Sequence, residues 1–313
     1  VRLRKVAVAS QALCGKLELM NPSSSLKDRI LRHMVRRAEE RGELRPGMTI
    51  LESSTGSTGI ATAMIGAVKG YPVVIVMPEG MSVERKDSVR AYGAELVLTP
   101  GGESDVDLCF EKVAELKRES PGKFWEAAQF SNKDNIEAHY LTTGPEIWEQ
   151  TGGKVDLFVA SQGSGGTISG VGKYLKERNS KVRIYAVEPA ECPILSGGEW
   201  GSHQIEGIGD GFVPDNLDLV YVDGVVTVSS QESIAMARRL ALEEGIFCGI
   251  SSGCNVVAAN KLAVELPSTK LMVTMINDTG MRYFSTPLFG GESTTEIPDR
   301  EHTISEADRR KLA

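Results

Sequence analysis

Short runs of β-branched residues alternate along the chain with longer segments in which apolar positions recur every three to four residues. The short runs predict strands, because such runs between turn signals suit a buried parallel sheet. The longer segments predict amphipathic helices. This alternation favours an α/β fold, in which helices cover the faces of largely parallel sheets.

The predicted strands fall into two series. The first series comprises residues 49–52, 73–77, 95–99 and 124–127, with helices expected near residues 58–68, 82–92 and 105–118. The second series comprises strands at residues 155–160, 182–187 and 271–276, with helices at 167–179 and from Ser229 to Glu244. Ser229 and Glu232 have the spacing of a capping box. Residues 135–149 lack a strand signal and predict a helical connection between two domains, whose cleft is the default ligand site.

The most informative segment runs from Asn21 to Arg29, where Lys27 follows three serines and a leucine. Ser24 or Ser25 can cap a helix by accepting a backbone N–H, and an apolar stripe follows. Lys27 then lies in the first turn, where the helix dipole and partial burial lower the pKa of its amine. A neutral amine can attack an aldehyde, although a solvated surface lysine is the commoner explanation of such a residue taken alone.

Three loops follow predicted strands, which is where open α/β sheets bind ligands. Residues 52–59 are rich in hydroxyl groups and lead into a helix, so they can hold a carboxylate or simply form a capped turn. Residues 162–167 carry three glycines before a helix, a pattern that suits a phosphate but also an unliganded turn. This loop matches neither common nucleotide-binding pattern. Residues 277–280 by themselves predict only a turn.

Composition narrows the class of protein. The chain has 313 residues, 41% of them hydrophobic, and a net charge of −7, which opposes a general role in binding nucleic acid or anionic membranes. No apolar run is long enough to span a membrane, and the N-terminus lacks the apolar core of a signal peptide, so we expect a cytoplasmic protein. The five cysteines form no Cys-x-x-Cys pair, and no histidines have metal-ligand spacing. We therefore expect free thiols and no metal site.

Several motifs occur together in one order. They are Asn21-Pro22 with Ser25-Leu26-Lys27-Asp28-Arg29, residues 52–59, residues 77–79 and 81–86, Gln129-Phe130-Ser131-Asn132, residues 142–148, Gly163-Ser164-Gly165-Gly166-Thr167, residues 207–214 and Gly249-Ile250-Ser251-Ser252-Gly253. In this combination the chain resembles the cysteine synthase (O-acetylserine sulfhydrylase) and cystathionine β-synthase family of fold-type II pyridoxal-phosphate enzymes. The resemblance covers nearly the whole chain.

The resemblance implies two open, twisted α/β domains of the tryptophan synthase β type, with pyridoxal 5'-phosphate (PLP) in the cleft between them. One domain would comprise residues 21–131, with the cofactor lysine and the substrate loop. The other would comprise residues 1–20 and 132–313, with the phosphate-binding loop. The resemblance also implies a homodimer, and it makes the C-terminal peptide of serine acetyltransferase a candidate partner.

By the same resemblance, Lys27 forms the Schiff base with the cofactor and later takes the Cα proton of the substrate. The implied reaction is a β-replacement that makes L-cysteine from O-acetyl-L-serine and sulfide through an α-aminoacrylate intermediate. The implied cofactor-binding residues are Lys27, Ser57, Gly163, Ser164, Gly165, Gly166, Thr167 and Thr279, of which Thr279 matches the hydroxyl at the ring nitrogen. The implied substrate-binding residues are Ser54, Thr55, Gly56, Thr58, Gln129 and Gly207.

The chain departs from the family pattern in two positions of the substrate loop. Ser57 stands where the family has an asparagine beside the 3′ oxygen of the cofactor, and Thr55 stands where it has a serine. Residues 203–206 carry no clear basic clamp for a phosphorylated substrate, so O-acetylserine is favoured over phosphoserine as the donor. Cystathionine β-synthase and β-cyanoalanine synthase chemistry are the alternatives within the family. A non-catalytic protein that binds a partner peptide is the alternative from another class.

Overall fold

The strands form two sheets in the computed structural model, which describes residues 1–8, 11–103, 105–291 and 303–312. The strands are β1 (Arg2–Leu3), β2 (Ala12–Leu17), β3 (Thr49–Ser53), β4 (Val73–Pro78), β5 (Glu95–Thr99), β6 (Phe124–Glu126), β7 (Leu157–Ser161), β8 (Arg183–Pro189), β9 (Gly224–Val228) and β10 (Leu271–Ile276). The larger sheet has the order β1-β2-β10-β7-β8-β9, and the smaller sheet has the order β5-β4-β3-β6. Neighbouring strands are parallel except for β1 and β2.

Helices pack on both sheets, so the α/β class expected from the sequence is confirmed. The helices are α1 (Lys27–Glu40), α2 (Ser57–Lys69), α3 (Val83–Ala91), α4 (Val106–Glu119), α5 (Asp134–Ala138), α6 (Gly144–Gln150), α7 (Gly166–Arg178), α8 (Ser230–Glu244), α9 (Ile250–Glu265) and α10 (Glu306–Leu312). A π-helical turn at His139–Thr143 joins α5 to α6. In the described part of the chain, no helix is both long enough and apolar enough to cross a lipid bilayer.

Central strands of both sheets are buried along nearly their whole length. Every residue of β3 and β4 is buried, and β10 is buried after its first residue. Strands of this kind carry apolar residues on both faces, because helices cover the sheet from both sides. The apolar stripe of α1, which includes Ile30, Leu31 and Met34, packs into the core of the smaller sheet. α1 is therefore anchored to that sheet along its length.

The predicted strands agree with β3–β8 and β10 within two residues at each end. The capping box is confirmed, because Ser229 Oγ accepts the N–H of Glu232 at 3.2 Å and the Glu232 carboxylate accepts the N–H of Ser229 at 2.9 Å. β2, β9 and α9 were not predicted from the sequence. α9 is buried around most of its circumference, so it lacks the polar face that makes a helix recognisable in a sequence.

The predicted cap of α1 is wrong. The residue that precedes the helix is Leu26, and no side chain caps the helix start. Ser24 instead adopts a left-handed backbone conformation with φ of 62°. Within the described residues, Ser25 Oγ accepts one hydrogen bond, from the N–H of Lys27 at 3.3 Å. The serines therefore turn the chain ahead of α1.

Polar side chains join the elements around the two sheets. Arg29 of α1 donates hydrogen bonds to the carboxylates of Glu18 and Glu146 at 2.6 to 2.8 Å. The pKa of the Glu146 carboxyl is lowered to about 2, chiefly by the hydrogen bond from Arg29.

The strands β3–β6 lie within residues 21–131 and the other strands lie outside that range. The domain limits themselves stay a prediction.

Candidate active site

Lys27 is the first residue of α1 and lies beside the end of the larger sheet. The Leu26 N–H donates to Asn277 O at 2.9 Å, and the Thr279 N–H donates to Ser24 O at 3.2 Å. These two bonds attach the residues before Lys27 to the residues that directly follow β10. Because α1 itself packs on the smaller sheet, Lys27 is held between the two sheets.

The amine of Lys27 loses its proton more readily than that of an ordinary lysine. Burial lowers its pKa, whereas the carboxylates of Asp210, Glu52, Asp278 and Glu103 oppose this shift in that order. Among the residues that the structure describes, none accepts a hydrogen bond from Nζ. A lysine in such a place supplies a neutral, nucleophilic amine.

The neighbouring acids hold their protons more tightly than usual. Burial raises the pKa of Glu52 to about 8, and the Glu126 carboxylate adds to this shift. Burial also raises the pKa of Asp210 to about 6, although Lys27 lowers it. At neutral pH Glu52 therefore carries little charge, and the electrostatic balance around Lys27 depends chiefly on its other neighbours.

Two adjoining pockets open beside Lys27. The first, here called the cleft cavity, has in its lining Lys27, Ser57, Gly163, Ser164, Gly165, Thr167, Ser251, Asn277 and Asp278. The second, here called the side pocket, is lined by Lys27, Ser54, Thr55, Ser57, Thr58, Gln129, Phe130, Ser164, Gly207 and Asp210. Four residues line both pockets, namely Lys27, Ser57, Ser164 and Gly207. Ligand groups bound in the two pockets would therefore meet at these residues.

The glycine loop between β7 and α7 forms one wall of the cleft cavity. Gly165 has φ of 81°, and a Cβ at this position would lie 2.6 Å from the backbone nitrogen of Leu217. A Cβ at Gly163 would lie 2.7 Å from Gly207 O, so only glycine fits at both positions. The loop ends at the N-terminus of the 13-residue helix α7, where backbone N–H groups and the helix dipole favour an anion.

Two neighbours orient the hydroxyl groups of this wall. Asn135 Nδ2 donates to Ser164 Oγ at 3.0 Å, and Thr167 Oγ1 lies 3.2 Å from His139 Nε2. Burial, then the positive charges of Lys27 and Arg29, lowers the pKa of His139 to about 3. His139 is therefore neutral at physiological pH and adds no charge to the site.

The hydroxyl-rich loop after β3 forms the side pocket. Ser54 Oγ accepts the N–H groups of Gly56 and Gly59 at 3.0 and 2.8 Å, which fixes the turn into α2. Thr58 Oγ1 donates to Gln129 Oε1 at 2.6 Å, so the Gln129 amide is held in one orientation. Polar donors at the start of a helix suit a carboxylate.

The residue pattern and the chain as a whole match a known family. The family model of the pyridoxal-phosphate dependent enzymes matches residues 1–278. The chain belongs to this family. The resemblance found in the sequence motifs is thereby confirmed.

Known proteins similar to the chain include several cysteine synthases. A cysteine synthase of Staphylococcus aureus is 47% identical over 291 residues, which cover 92% of this chain and 93% of the relative. Cysteine synthase 3 of Caenorhabditis elegans is 47% identical over 292 residues, which cover 92% of this chain and 86% of the relative. The crystal structure of a cysteine synthase from Entamoeba histolytica superposes with a TM-score of 0.87 at 40% identity, covering 100% of this chain and 91% of that chain. The fold-type II architecture expected from the sequence is confirmed.

The site fits the cofactor of the family. PLP carries an aldehyde and a phosphate, and the cleft cavity offers a lysine amine and a glycine wall that leaves no space for a Cβ. Gly166 is the first residue of α7, and its missing Cβ leaves room for Asn135. Most of the residues predicted from the sequence thus lie around the two pockets. Gly56 lines neither pocket, and a Cβ at this position would collide with the side chain of Arg85.

Thr279 does not line the cleft cavity, whereas Asn277 and Asp278 just before it do. Its hydroxyl accepts the N–H of Met281 at 3.3 Å, and the lining of the cleft cavity contains Asp278 instead. The Asp278 carboxylate accepts hydrogen bonds from Tyr283 at 2.9 Å and from Ser57 at 3.4 Å. Ser57 Oγ also accepts a hydrogen bond of 2.5 Å from Arg282. The assignment of Thr279 to the ring nitrogen stays a prediction.

Several charged residues of the site were not predicted from the sequence. They are Glu103, Asp210, Asp278, Arg85, Glu206 and Arg282, all of them buried or largely buried. Asp210 lies within the motif at residues 207–214, and Asp278 lies within the loop at residues 277–280. Neither aspartate was assigned a role from the sequence, because the predictions for these segments concerned Gly207 and Thr279. Glu103 follows β5 in a segment without any motif, so only the fold brings it to the side pocket.

One cluster has the composition of a metal site. His33, Asp134 and Glu137 place ligand atoms within 4.8 Å of one another. Arg41 donates to both oxygens of Asp134, and Arg37 Nε lies 3.4 Å from Glu137 Oε2. These guanidinium groups already balance the carboxylates, so the cluster is explained by ion pairing.

The Asp210 carboxylate is the strongest of the groups that raise the pKa of Lys27. Asp210→Asn should therefore lower this pKa further, and reductive methylation of Lys27 in cofactor-free protein should reach its plateau at lower pH than in the wild type. The measurement is mass spectrometry of the lysine peptides across a pH series. Exposed Lys154 is the internal control, and its profile should not move. A Lys27 profile that stayed in place or moved to higher pH would contradict the assigned electrostatics.

Proposed function

We propose that this protein is a PLP-dependent cysteine synthase that forms L-cysteine from O-acetyl-L-serine and sulfide. The observation that carries the proposal is the meeting of the Lys27 amine and the glycine loop in one cleft cavity. This arrangement occurs in a chain that is 47% identical to a cysteine synthase over 92% of its length. O-acetylserine is the favoured donor, because the sequence offers no evident basic clamp for a phosphorylated one.

PLP, when bound, withdraws electrons from the Cα of an attached amino acid and so makes its proton removable. Lys27 would hold the aldehyde carbon, and residues 163–167 would hold the phosphate through N–H groups and hydroxyls. Ser57 would contact the ring oxygen and Thr279 the ring nitrogen. These assignments follow from position in the family motifs. Of the residues assigned, Lys27, Ser57, Gly163, Ser164, Gly165 and Thr167 also line the cleft cavity.

With its amine free, Lys27 would serve a second purpose. Its free amine takes the proton from Cα as a general base. Burial favours this role, because a lowered pKa keeps the amine neutral at a pH where a surface lysine is charged. Acetate would leave from Cβ, hydrosulfide would add there, and the Lys27 ammonium would return its proton to Cα.

The side pocket holds the carboxylate of the substrate. Thr55, Thr58 and Gln129 offer two hydroxyls and an amide at the N-terminus of α2, and Gly207 offers a backbone N–H. Ser54 supports the same loop through its bonds to Gly56 and Gly59. A carboxylate bound here draws the loop around Thr55 inward and excludes water from the reacting carbon. A homodimer and a serine acetyltransferase peptide as partner stay predictions from the family resemblance.

The direct test is cysteine formation from O-acetylserine and sulfide by purified holoenzyme. The wild type should form cysteine, and Lys27→Ala should lose at least about a thousandfold in rate, because both the attachment point and the base are gone. Lys154→Ala, at an exposed position, is the matched control and should keep the wild-type rate. Substantial cysteine formation by Lys27→Ala would refute the role of Lys27. A wild type that binds PLP but releases no cysteine would refute the proposed function.

Gln129→Ala should raise the KM for O-acetylserine about 10- to 150-fold, which corresponds to ~1.5–3 kcal/mol for a hydrogen bond to a charged group. Steady-state kinetics at saturating sulfide measures this change. Gln150→Ala, which removes an exposed amide from α6, serves as the control and should have no effect. An unchanged KM in Gln129→Ala would show that Gln129 does not contact the carboxylate.

A further inference from the structure

Glu103 places a carboxylate of the protein itself in contact with the side pocket. It follows β5, and only 6% of its surface is exposed. Its Oε1 accepts a hydrogen bond of 2.9 Å from Thr55 Oγ1 and another of 2.7 Å from the N–H of Gly207. Its Oε2 is buried and has no partner among the described residues. Glu103 therefore occupies donors from two different loops with one oxygen.

The donors that Glu103 uses are among those assigned to the substrate under the proposed function. A hydroxyl and a backbone N–H that donate to one carboxylate can donate to another, since a carboxylate of the protein and one of the substrate have the same acceptor oxygens. We propose that Glu103 is an internal competitor of the substrate, which must leave Thr55 and Gly207 before the amino acid carboxylate can bind there. This inference rests on the proposed function and adds to it a residue that controls how tightly the substrate carboxylate binds.

The turn ahead of Glu103 is built from glycine. Gly101 and Gly102 precede Glu103, and Gly101 has φ of 100°, a conformation that other residues rarely adopt. A Cβ at Gly102 would meet no heavy atom within 4 Å. The Gly102 N–H donates to Asp105 Oδ2 at 2.9 Å and the Gly80 N–H donates to Gly101 O at 2.8 Å, so the turn itself is held in place. The Glu103 carboxylate would therefore leave Thr55 and Gly207 by rotation of its own side-chain bonds, without moving β5.

Electrostatics makes the competition depend on pH. Burial, then the Asp210 carboxylate, raises the pKa of Glu103 to about 7, while Arg85 and the bonds from Gly207 and Thr55 oppose the shift. The charged and titratable groups that face Glu103 are Asp210, Arg85, Lys27 and the thiol of Cys109. Above this pKa Glu103 is ionised, so it holds the donors more strongly and also repels an incoming carboxylate. Below it, the neutral acid competes less.

The competing explanation is a purely structural one, in which Glu103 ties the segment after β5 to the cleft. The two roles predict opposite results on removal of the charge. A structural tie, once lost, loosens the side pocket and weakens the binding of a carboxylate. An internal competitor, once lost, frees two donors and strengthens that binding.

The experiment titrates the PLP-bound holoenzyme with L-alanine, which has the amino and carboxylate groups of the substrate but no leaving group. Cofactor absorbance reports binding in the wild type, Glu103→Gln and Glu103→Ala, with Glu111→Gln as a control for an exposed charge on α4. Both Glu103 variants should bind L-alanine about tenfold more tightly than the wild type at about pH 8.5, which is about 1.4 kcal/mol. Glu111→Gln should match the wild type. Thermal unfolding of each variant monitors the fold.

The ratio of wild-type Kd to Glu103→Gln Kd should rise from near one at about pH 6 to about ten at about pH 8.5, because Glu103 titrates only in the wild type whereas Asp210 is present in both proteins. The ratio cancels the titration of the ligand amine, and a structural role would not change it with pH. Equal or weaker binding in both variants, a ratio independent of pH, or no binding of L-alanine by any variant would overturn the proposal. If the wild type forms cysteine but the binding results are those just named, the competition by Glu103 is refuted and the cysteine synthase function is not. If the wild type forms no cysteine but the Glu103 variants bind L-alanine more tightly, the cysteine synthase function is refuted and the competition is not.

Discussion

The attachment of the start of α1 to the end of β10 is the constraint on which the site depends. Backbone hydrogen bonds join Leu26 to Asn277 and Thr279 to Ser24, while the apolar stripe of α1 packs on the smaller sheet. One short segment therefore fixes Lys27 relative to both sheets. The glycine loop after β7 and the hydroxyl loop after β3 then meet at Lys27, because parallel strands end at the same edge of each sheet.

The charges around Lys27 follow from this placement. Burying a charged amine costs free energy unless the amine becomes neutral or lies near carboxylates. In the cleft, burial favours the neutral form of Lys27, and four neighbouring carboxylates favour the charged form. Burial lowers the pKa of Lys27, and the same burial raises the pKa of Glu52 and Asp210, so base and acids shift towards their neutral forms. Proton position in this cluster is therefore sensitive to any ligand charge. A carboxylate in the side pocket would act on Lys27 through the same neighbours.

Much of the fold was predictable from local pattern. The strands β5 and β10 were placed at their exact bounds, because their β-branched runs are flanked by turn residues. Lys27 and the glycine loop were found from motifs. α9 was missed because burial on most sides removes its polar face, and Glu103 was missed because long-range packing alone brings it to Thr55. The prediction that Ser24 or Ser25 caps α1 was wrong, because these serines form a turn that is hydrogen-bonded to the residues after β10.

Borohydride reduction of the holoenzyme, followed by peptide mapping, tests the central claim most directly. Reduction makes the bond between PLP and its lysine permanent, so the modified residue can be identified by mass. The account predicts the pyridoxyl group on Lys27, because this is the amine that lines the cleft cavity beside the glycine loop. A pyridoxyl group on another lysine, with Lys27 unmodified, would contradict it.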